Sequence, residues 1–389
     1  MQIAIIGGKR TQPFNLAFSL EKKGLLHSVI TCEFFAKKHV KKRYIKKMWG
    51  MFPFMFIEKL NLLFPFLGFI RHFTKQRENW MYNFLLEKRI KKLKNVDVII
   101  AWPGLNRNVI KAAHKKNIKI VFYYGSAHPD FKKKLFEDEY SRAGLQKKVA
   151  GTENNKIKEK MEAHYNADLV FVGSQRVKEQ FIQKGFFGKS IKVVPYSTNI
   201  SFFYPAGKKD EKFRILFCGR LILRKGVHYL IQAFYELDLP DSELVLLGSL
   251  SEEMKYYLDK YKSNKIKTHG AVLHSKINKY YNLADVYVQP SLSEGLSLTV
   301  LEALSSGLPV IASENTGAGD IVENGKEGFI VPIRDVDAIK EKLKFLYENP
   351  MKRKKMAENA RKLAERYDMS NYADRVLEAL NGLVENKKY

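Results

Sequence analysis

The chain has 389 residues, of which 45% are hydrophobic, and this length exceeds what one hydrophobic core usually supports, so two domains are expected. The formal net charge of +27, from 68 Lys and Arg against 41 Asp and Glu, predicts attraction to anions, although a generally lysine-rich surface explains the excess equally well. Two cysteines, Cys32 and Cys218, are too few for a disulfide framework and exclude a small disulfide-stabilised secreted domain.

The chain begins with MQIAIIGG, a pattern typical of a strand followed by a glycine turn. This start lacks the basic residues, the long apolar stretch and the small-residue cleavage site of a signal peptide. We therefore expect a cytoplasmic protein, in agreement with the low cysteine content.

Short apolar runs alternate with helical stretches along most of the chain, which is the pattern of parallel sheets covered by helices. The predicted strands of the first half are 2–6, 28–31, 96–101, 118–123, 169–172 and 191–194. Those of the second half are 213–218, 243–247, 266–268, 286–289, 310–312 and 328–331. The sequence therefore predicts the α/β class.

A long aromatic segment, residues 48–73, follows basic runs within residues 37–47. It has the length of a membrane span, but Glu58 and Lys59 near its middle each cost about 2.5 to 3.5 kcal/mol on insertion, and prolines interrupt the helix. Two interpretations stay open: a segment lying on an anionic leaflet, or a pair of buried helices covering the N-terminal sheet.

Residues 201–213, SFFYPAGKKDEKF, combine proline, glycine and a charge run without periodicity, which is typical of a linker. Beyond Pro332 the sequence predicts only helices, at 336–347, 351–367 and 370–385. We expect the last helix to return to the first domain. The predicted units are residues 1–204, residues 205–368, and a C-terminal helix within 369–389 that packs back on the N-terminal domain.

The most informative stretch is residues 289–313, QPSLSEGLSLTVLEALSSGLPVIAS. It predicts a strand, a turn, a helix from about Ser297 closed by Gly307, and a second strand opened by Pro309. Ligands of open parallel sheets bind at the carboxyl ends of strands, and the free N–H groups of a helix N-terminus attract phosphate. The loop at residues 293–295 is therefore a candidate phosphate-binding loop.

Glu294 lies in this loop, and Glu302 lies in the second turn of the helix that follows. The two carboxylates can reach two hydroxyl-bearing parts of one ligand while the amides between them hold its phosphates. Two glutamates at this spacing often occur by chance. The surrounding strand, glycine turn, capped helix and SGLPVIAS run give the pair its significance.

The stretch resembles the signature of retaining nucleotide-sugar glycosyltransferases with the two-domain GT-B fold, family 4, also called glycosyl transferases group 1. The resemblance continues through ILFCGRLILRKGVHYLIQAF, ADLVFVGSQRVKEQFIQKG and IKVVPYSTNISFFYP and covers most of residues 123–367. It implies two Rossmann-like, doubly wound parallel-sheet domains with a cleft between them. The first domain would bind the acceptor and the second the nucleotide sugar.

The resemblance also implies roles for individual residues of the second domain. Glu294 would contact hydroxyls of the donor sugar, and Glu302 would hold the ribose. The sugar and the diphosphate would be bound by the backbone amides of Gly295, Leu296, Leu298 and Thr299, in agreement with the argument from the helix N-terminus.

Gly219 and Arg220 follow the predicted strand that ends at Cys218, and Lys225 lies five residues further on, where the next helix begins. Arginine and lysine on such a loop suit a diphosphate, because they neutralise the charge that builds on the leaving group. The plain alternative is two surface cations among 68. The resemblance implies a diphosphate clamp at these positions.

His128 lies in YYGSAHPDF, just after a predicted strand of the first domain. A lone histidine is more often structural than functional. The stretch and the acidic EDEY that follows it resemble one branch of the family, which implies that His128 faces the donor sugar across the cleft. There it would position the sugar and stabilise developing oxocarbenium charge.

Other features depart from the family or argue against cofactors. The loop after the first strand, Gly7–Arg10, lacks the longer glycine-rich motif of many relatives, which leaves the acceptor arrangement undefined. It also lacks the third glycine of a dinucleotide site. Asp335 and Asp337 precede a helix, where aspartate is an ordinary N-cap. We therefore expect neither a nicotinamide cofactor nor an essential metal.

The sequence thus predicts a retaining glycosyltransferase of hexosyltransferase type, which uses a nucleotide-diphosphate sugar and a glycan or lipid-linked acceptor in cell-surface polysaccharide or glycolipid synthesis. We expect it in the cytoplasm, with a peripheral position on an anionic membrane surface. The alternatives are a catalytically inert GT-B scaffold in a membrane assembly complex and a nucleotide-sugar epimerase. A nucleic-acid binder rests on charge alone, because no known nucleic-acid module is present.

Overall fold

The structure is a computed structural model, and it describes residues 1–7, 11–31, 48–50, 68–102, 105–145, 161, 165–208 and 210–383. The basic runs at 37–47 and most of the aromatic segment, residues 51–67, lie outside the described residues. Within the described part, no helix is both long enough and apolar enough to cross a membrane.

The described chain forms two parallel sheets, one in each half. The first sheet has the strands β1 (Ile3–Ile6), β2 (Leu26–Thr31), β3 (Met48–Gly50), β4 (Val98–Ala101), β5 (Lys119–Tyr124), β6 (Leu169–Val172) and β7 (Ile191–Val193). The second has β8 (Phe213–Cys218), β9 (Ser242–Leu247), β10 (Ile266–Thr268), β11 (Val286–Gln289), β12 (Val310–Ser313) and β13 (Gly328–Val331).

Helices cover the sheets, as a run of βα units requires. Those of the first half are α1 (Thr11–Lys22), α2 (Gly68–Lys92), α3 (Arg107–His114), α4 (Pro129–Arg142) and α5 (Gln175–Gln183). Those of the second half are α6 (Val227–Leu237), α7 (Glu252–Lys260), α8 (His274–Leu283), α9 (Leu298–Ser305), α10 (Val336–Glu348), α11 (Pro350–Glu365) and α12 (Tyr372–Leu380).

The predicted strands are all present, with ends that differ by at most two residues, and the α/β class is confirmed. Strands β1, β4, β6, β11 and β12 are buried along their whole length, which explains their continuous apolar character. Strand β3 was not predicted. It is a three-residue edge strand whose one partner among the described strands is β2, and it begins the aromatic segment.

Both sheets are doubly wound. The strand order is β3-β2-β1-β4-β5-β6-β7 in the first sheet and β10-β9-β8-β11-β12-β13 in the second. The order reverses between β1 and β4, and again between β8 and β11. Ligands of such sheets bind beyond the carboxyl ends of the strands at these reversal points. The loops after β8 and β11 are therefore the favoured place for a ligand in the second domain.

The chain returns to the first domain at its end. The Ala373 amide donates to Ser19 Oγ at 2.8 Å, and Lys23 Nζ lies 2.8 Å from Asp374 Oδ1, so α12 is held on α1. The predicted return of the last helix is confirmed. The helix ends at Leu380, before the predicted residue 385.

The two domains touch where the loop after β5 meets the loop after β11. A Cβ atom at Gly295 would lie 2.6 Å from the Gly125 carbonyl carbon, and one at Gly173 would lie 3.0 Å from Leu296 Cβ. The Ser174 hydroxyl donates to the Gly295 carbonyl at 2.7 Å. Glycines at 173 and 295 therefore permit a backbone approach between the domains that larger residues would block.

Candidate functional site

The loop after β11 leads into α9, whose N-terminal end lies at the carboxyl edge of the second sheet. Ser297 is the N-cap, but its side chain makes no capping hydrogen bond. Four main-chain amides of this turn donate to no acceptor among the described residues: those of Gly295, Leu296, Leu298 and Thr299. These are the amides that the sequence analysis assigned to the donor. Unpaired amides at the positive end of a helix favour a negatively charged ligand.

Neighbouring bonds hold this loop in place. The Glu294 amide donates to the Asn315 carbonyl at 2.9 Å, and the Ser297 amide donates to the Thr316 carbonyl at 3.0 Å. The Thr299 hydroxyl donates to Gln289 Oε1 at 2.9 Å. The free amides are thus fixed in direction before any ligand binds, which is the arrangement that favours tight and specific binding.

Glu294 is bound by two cations from the loop after β8. Lys225 Nζ lies 2.6 Å and Arg224 Nη1 3.2 Å from Glu294 Oε1. Burial alone would raise the pKa of Glu294, but the two cations outweigh it and hold the pKa below its ordinary value. Glu294 is therefore an ionised acceptor of hydrogen bonds at neutral pH, suited to sugar hydroxyls rather than to general acid chemistry.

The two loops are interlocked, which explains why Lys225 reaches Glu294. The Leu292 amide donates to the Arg224 carbonyl at 3.0 Å. Gly226 has a φ of 62°, and a Cβ atom there would lie 2.0 Å from the Pro290 carbonyl oxygen. Glycine is required at this position both for its φ and for its close contact with the strand end.

Arg220 lies at the carboxyl end of β8, next to Gly219. Its side chain is exposed and makes no hydrogen bond or ion pair within the described part of the chain. Gly219 passes close to Lys225, since a Cβ atom there would lie 4.0 Å from Lys225 Cε. The structure thus places Arg220 and Lys225 at the same strand end, but only Arg220 is free to pair with an added anion.

Glu302 projects from the second turn of α9 and contacts Tyr281. The Tyr281 hydroxyl donates to Glu302 Oε2 at 2.9 Å. Burial raises the pKa of Glu302 to about 7, and this bond only partly offsets the effect. The same carboxylate faces the buried thiol of Cys218, whose pKa burial raises to about 12. Glu302 can therefore accept a hydrogen bond from a hydroxyl group, and its charge changes with pH near neutrality.

His128 is the N-cap of α4 and is 2% exposed. Its Nδ1 accepts a bond from the Asp130 amide at 3.3 Å, which places the ring proton of the neutral form on Nε2. Nε2 is buried and makes no bond within the described residues. Burial lowers the pKa of His128 to about 4, so the ring is a neutral donor at physiological pH.

The ring of His128 packs edge-on against Phe181, with ring centroids 5.0 Å apart. His128 lies three residues after Gly125, which closely approaches Gly295. The structure thus brings the His128 loop to the loop of Glu294, and the role of His128 stays a prediction. On the predicted acceptor side, residues 8–10 of the loop after β1 lie outside the described residues.

The residues that the structure describes contain no group of three or more metal-ligating side chains. Asp335, one of the aspartates considered above, is the N-cap of α10, and its carboxylate accepts from the Ala338 amide at 2.8 Å. The predicted N-cap role is confirmed.

Sequence reasoning missed three residues of the site: Arg224, Tyr281 and Ser174. Arg224 stands beside Lys225, but adjacent cations gave no sign that both would turn to one carboxylate. Tyr281 lies 21 residues before Glu302 on another helix, and Ser174 bonds the Gly295 carbonyl from the other domain. None of these pairings has a local sequence signal.

The chain is similar to several known proteins. Residues 201–363 match the family model described as glycosyl transferases group 1. The chain is 31% identical over 170 residues to the putative glycosyltransferase EpsD of Bacillus subtilis, covering 41% of this chain and 43% of that protein. It is 31% identical over 165 residues to an Escherichia coli UDP-Gal:alpha-D-GlcNAc-diphosphoundecaprenol alpha-1,3-galactosyltransferase, covering 38% of this chain and 43% of that protein.

The match thus spans less than half the length of both relatives. Over nearly its whole length the chain superimposes on Anabaena HepE, solved in complex with UDP and glucose, with a TM-score of 0.66 and 19% identity, covering 98% of this chain and 99% of that one. This protein therefore has the GT-B fold of these glycosyltransferases, and its second half carries the region that matches glycosyl transferases group 1.

Proposed function

We propose that this protein is a retaining glycosyltransferase that takes a sugar from a nucleotide-diphosphate donor. The observation that carries the proposal is the array of free amides at the start of α9, between Glu294 and Glu302 in the chain, with the exposed Arg220 at the end of the neighbouring strand β8. A diphosphate needs N–H donors and positive charge, and a sugar and a ribose need hydroxyl acceptors. The site offers N–H donors, positive charge and hydroxyl acceptors at the carboxyl edge of the second sheet.

The proposed donor lies along this edge. Glu302 holds the ribose, the amides of α9 hold the diphosphate, and Glu294 accepts bonds from the sugar hydroxyls. Arg220 pairs with the phosphates, where it stabilises charge that develops as the glycosidic bond breaks. Lys225 has two roles, since it neutralises Glu294 and lies at the same strand end as Arg220. HepE, which shares the fold, binds UDP and glucose, and this likeness supports a nucleoside diphosphate donor.

For the stereochemistry we propose attack on the face from which the leaving group departs. The bond from the anomeric carbon to the phosphate oxygen breaks with both electrons staying on phosphate, and the acceptor oxygen bonds the same carbon. The acceptor proton passes to the departing phosphate oxygen. Glu294 is a poor nucleophile, because Lys225 and Arg224 already bind its carboxylate. His128 offers a neutral Nε2–H that orients the sugar.

For the acceptor we propose a glycan or lipid-linked glycan presented at an anionic membrane, in polysaccharide or glycolipid synthesis. On α2, Trp80 is 66% exposed and stacks on Phe84, with ring centroids 5.4 Å apart, and Lys88 Nζ lies 4.3 Å from the Phe84 ring centroid. Exposed aromatics beside lysines suit the headgroup region of a membrane. The E. coli relative is named for a diphosphoundecaprenol-linked acceptor, which supports a lipid-linked acceptor for this protein.

The proposed activity is tested by incubating the protein with UDP-, GDP-, ADP- and dTDP-sugars and following release of the nucleoside diphosphate with and without lipid-linked acceptors. Turnover with one donor, lost in Arg220→Ala and Glu302→Ala, is the expected result. The anomeric configuration of the product then tests retention. Tight donor binding without turnover would favour the inert scaffold, and conversion of the donor sugar without acceptor would favour the epimerase.

A further inference from the structure

Helix α4 of the first domain carries a buried carboxylate that faces the second domain. His128 caps the start of α4, and Glu139 lies near its end with a side chain that is 3% exposed. The eleven residue steps from His128 to Glu139 rise by about 16 Å along a helix. One rigid element therefore connects the His128 loop to a contact with the other domain.

Both oxygens of Glu139 are bound by groups of the second domain. Oε1 accepts from His228 Nε2 at 2.8 Å and from the Tyr229 hydroxyl at 2.7 Å. Oε2 accepts from Arg334 Nε at 2.7 Å. The neighbouring Asp138 adds a contact of 2.7 Å to Arg334 Nη2. We call Glu139, His228, Tyr229 and Arg334 the interdomain clamp.

Burying the charged groups of the clamp costs desolvation free energy, so the clamp is not simply an attractive contact between the domains. Burial raises the pKa of Glu139, yet the bonds from His228, Tyr229 and Arg334 outweigh burial and hold the pKa below its ordinary value. Arg334 has a φ of 66°, in the left-handed region that non-glycine residues rarely adopt. A buried ion pair contributes less to stability than an apolar contact of equal size, but it fixes one relative orientation.

The second-domain side of the clamp lies next to the donor loops. His228 and Tyr229 are in the first turn of α6, directly after Gly226, and Arg224 and Lys225 hold Glu294 just before it. Each end of α4 is thus tied to the donor site: its start through the loop contact of Gly125 with Gly295, and its end through the first turn of α6.

We infer that Glu139 is a positioning residue, which fixes α4 against the second domain so that His128 faces the donor sugar in register. This inference rests on the proposed function for its catalytic part only. The nucleotide site lies within the second domain, so loss of the clamp spares nucleotide binding. Loss of the clamp instead slows the sugar-transfer step, which needs residues of both domains.

The first test measures the distance between the domains directly. Spin labels at Lys115→Cys and Asp259→Cys, in a Cys32→Ser background, report the interdomain distance by double electron–electron resonance. We expect a narrow distribution that broadens or shifts in Glu139→Ala and in Arg334→Ala. Glu137→Ala, an exposed glutamate of the same helix, serves as the matched control and leaves the distribution unchanged. Far-UV circular dichroism confirms that each variant is folded.

The second test uses donor turnover. Glu139→Ala and Arg334→Ala are each expected to lower kcat by about 10- to 100-fold, as misplacement on the order of 1 Å does, with a donor KM within about twofold of wild type. The double variant is expected to lose less than the sum of the two single losses, because both single variants remove the Glu139–Arg334 bond. A merely stabilising contact would leave kcat unchanged below the melting temperature.

The outcomes separate the two proposals. Unchanged distances in Glu139→Ala would overturn the clamp whether or not the protein turns over a donor. Broadened distances with an unchanged kcat would overturn the positioning role. A folded wild-type protein that turns over no donor would refute the proposed function, and with it the catalytic part of this inference, while the distance measurement would still decide whether the clamp sets the domain orientation.

Discussion

Lys225 Nζ lies 2.6 Å from Glu294 Oε1, so a lysine of the loop after β8 neutralises a carboxylate of the loop after β11. The two loops flank the point where the strand order of the second sheet reverses. This pair therefore sits where a ligand of a doubly wound sheet binds. It also sets the charge of the site, since Lys225 and Arg224 hold the pKa of Glu294 below its ordinary value against the opposing effect of burial.

Lys225→Met is expected to lower donor turnover by about 100-fold. The change removes one of two cations from a buried carboxylate, and the pKa of Glu294 rises because burial then acts with less opposition. Turnover is measured by nucleoside diphosphate release. Lys255→Met removes an exposed lysine of α7 and serves as the control. Equal turnover in the two variants would show that Lys225 is not part of the donor site.

Arg220→Ala is expected to lower kcat/KM by about 10- to 100-fold, or about 1.4 to 2.7 kcal/mol of transition-state stabilisation. The free energy of unfolding stays unchanged, because the exposed guanidinium makes no hydrogen bond or ion pair within the described residues. Urea unfolding and donor kinetics on the same preparation measure both. A loss of stability equal to the loss of activity would contradict the assignment.

Glu302 predicts a specific pH dependence of stability. The unfolded chain releases this proton near pH 4.5, whereas the folded protein keeps it until about pH 7, so the folded state binds more protons between these values. The free energy of unfolding therefore falls as pH rises from 4.5 to 7, by an amount on the order of 3 kcal/mol at most. Glu302→Gln removes this contribution.

Urea unfolding of wild type and Glu302→Gln at pH values from 4 to 8 measures the effect. The difference between the two curves grows with pH if Glu302 is responsible. Nucleotide affinity of the wild type is expected to rise over the same range, because a ribose hydroxyl donates better to the ionised carboxylate. Parallel stability curves would show that Glu302 titrates normally.

Gly295→Ala is expected to abolish turnover, because the added Cβ atom would lie 2.6 Å from the Gly125 carbonyl carbon and would push the domains apart. The separation is measured with the spin-labelled pair described above. Gly319→Ala is the matched control, since its nearest contact would be 4.0 Å away and its φ is not in the left-handed region. Normal turnover in Gly295→Ala would mean that the reactive arrangement lacks this loop contact.

Trp80→Ala combined with Phe84→Ala is expected to weaken binding to vesicles containing anionic lipid by about 10-fold. Each of these exposed rings would bury apolar area when it enters the membrane surface. Co-sedimentation with vesicles measures the binding. Tyr256→Ala removes a ring of α7 that is 62% exposed and serves as the control. Unchanged sedimentation of the double variant would exclude this face of α2 as the membrane contact.

The sheets and the donor loop could be predicted because their signals are local. Buried parallel strands are short apolar runs, and the turn before α9 combines a glycine, a serine cap and a following strand within 25 residues, 289–313. The free amides of Leu298 and Thr299 follow from a helix start whose N-cap side chain, here that of Ser297, makes no capping hydrogen bond. These parts of the site are encoded by neighbouring residues.

The remaining parts depend on tertiary contacts. Glu139 and Arg334 are 195 residues apart, and neither stretch predicts the other. The exposed cation at Arg220 and the paired cation at Lys225 look alike in the sequence, and which of them reaches Glu294 depends on the contact between the loops after β8 and β11. Strand β3 has three residues and one neighbour, too little for a periodic signal.

We propose above that the loop after β11 and the start of α9 bind a nucleoside diphosphate. Isothermal titration calorimetry of UDP, GDP, ADP and dTDP against wild type, Glu302→Ala and Tyr256→Ala tests it most directly. We predict that one nucleotide binds wild type and Tyr256→Ala equally and binds Glu302→Ala at least about 10-fold more weakly, which corresponds to 1.4 kcal/mol. Equal binding to wild type and Glu302→Ala, or no binding of any nucleotide to the folded wild-type protein, would contradict it.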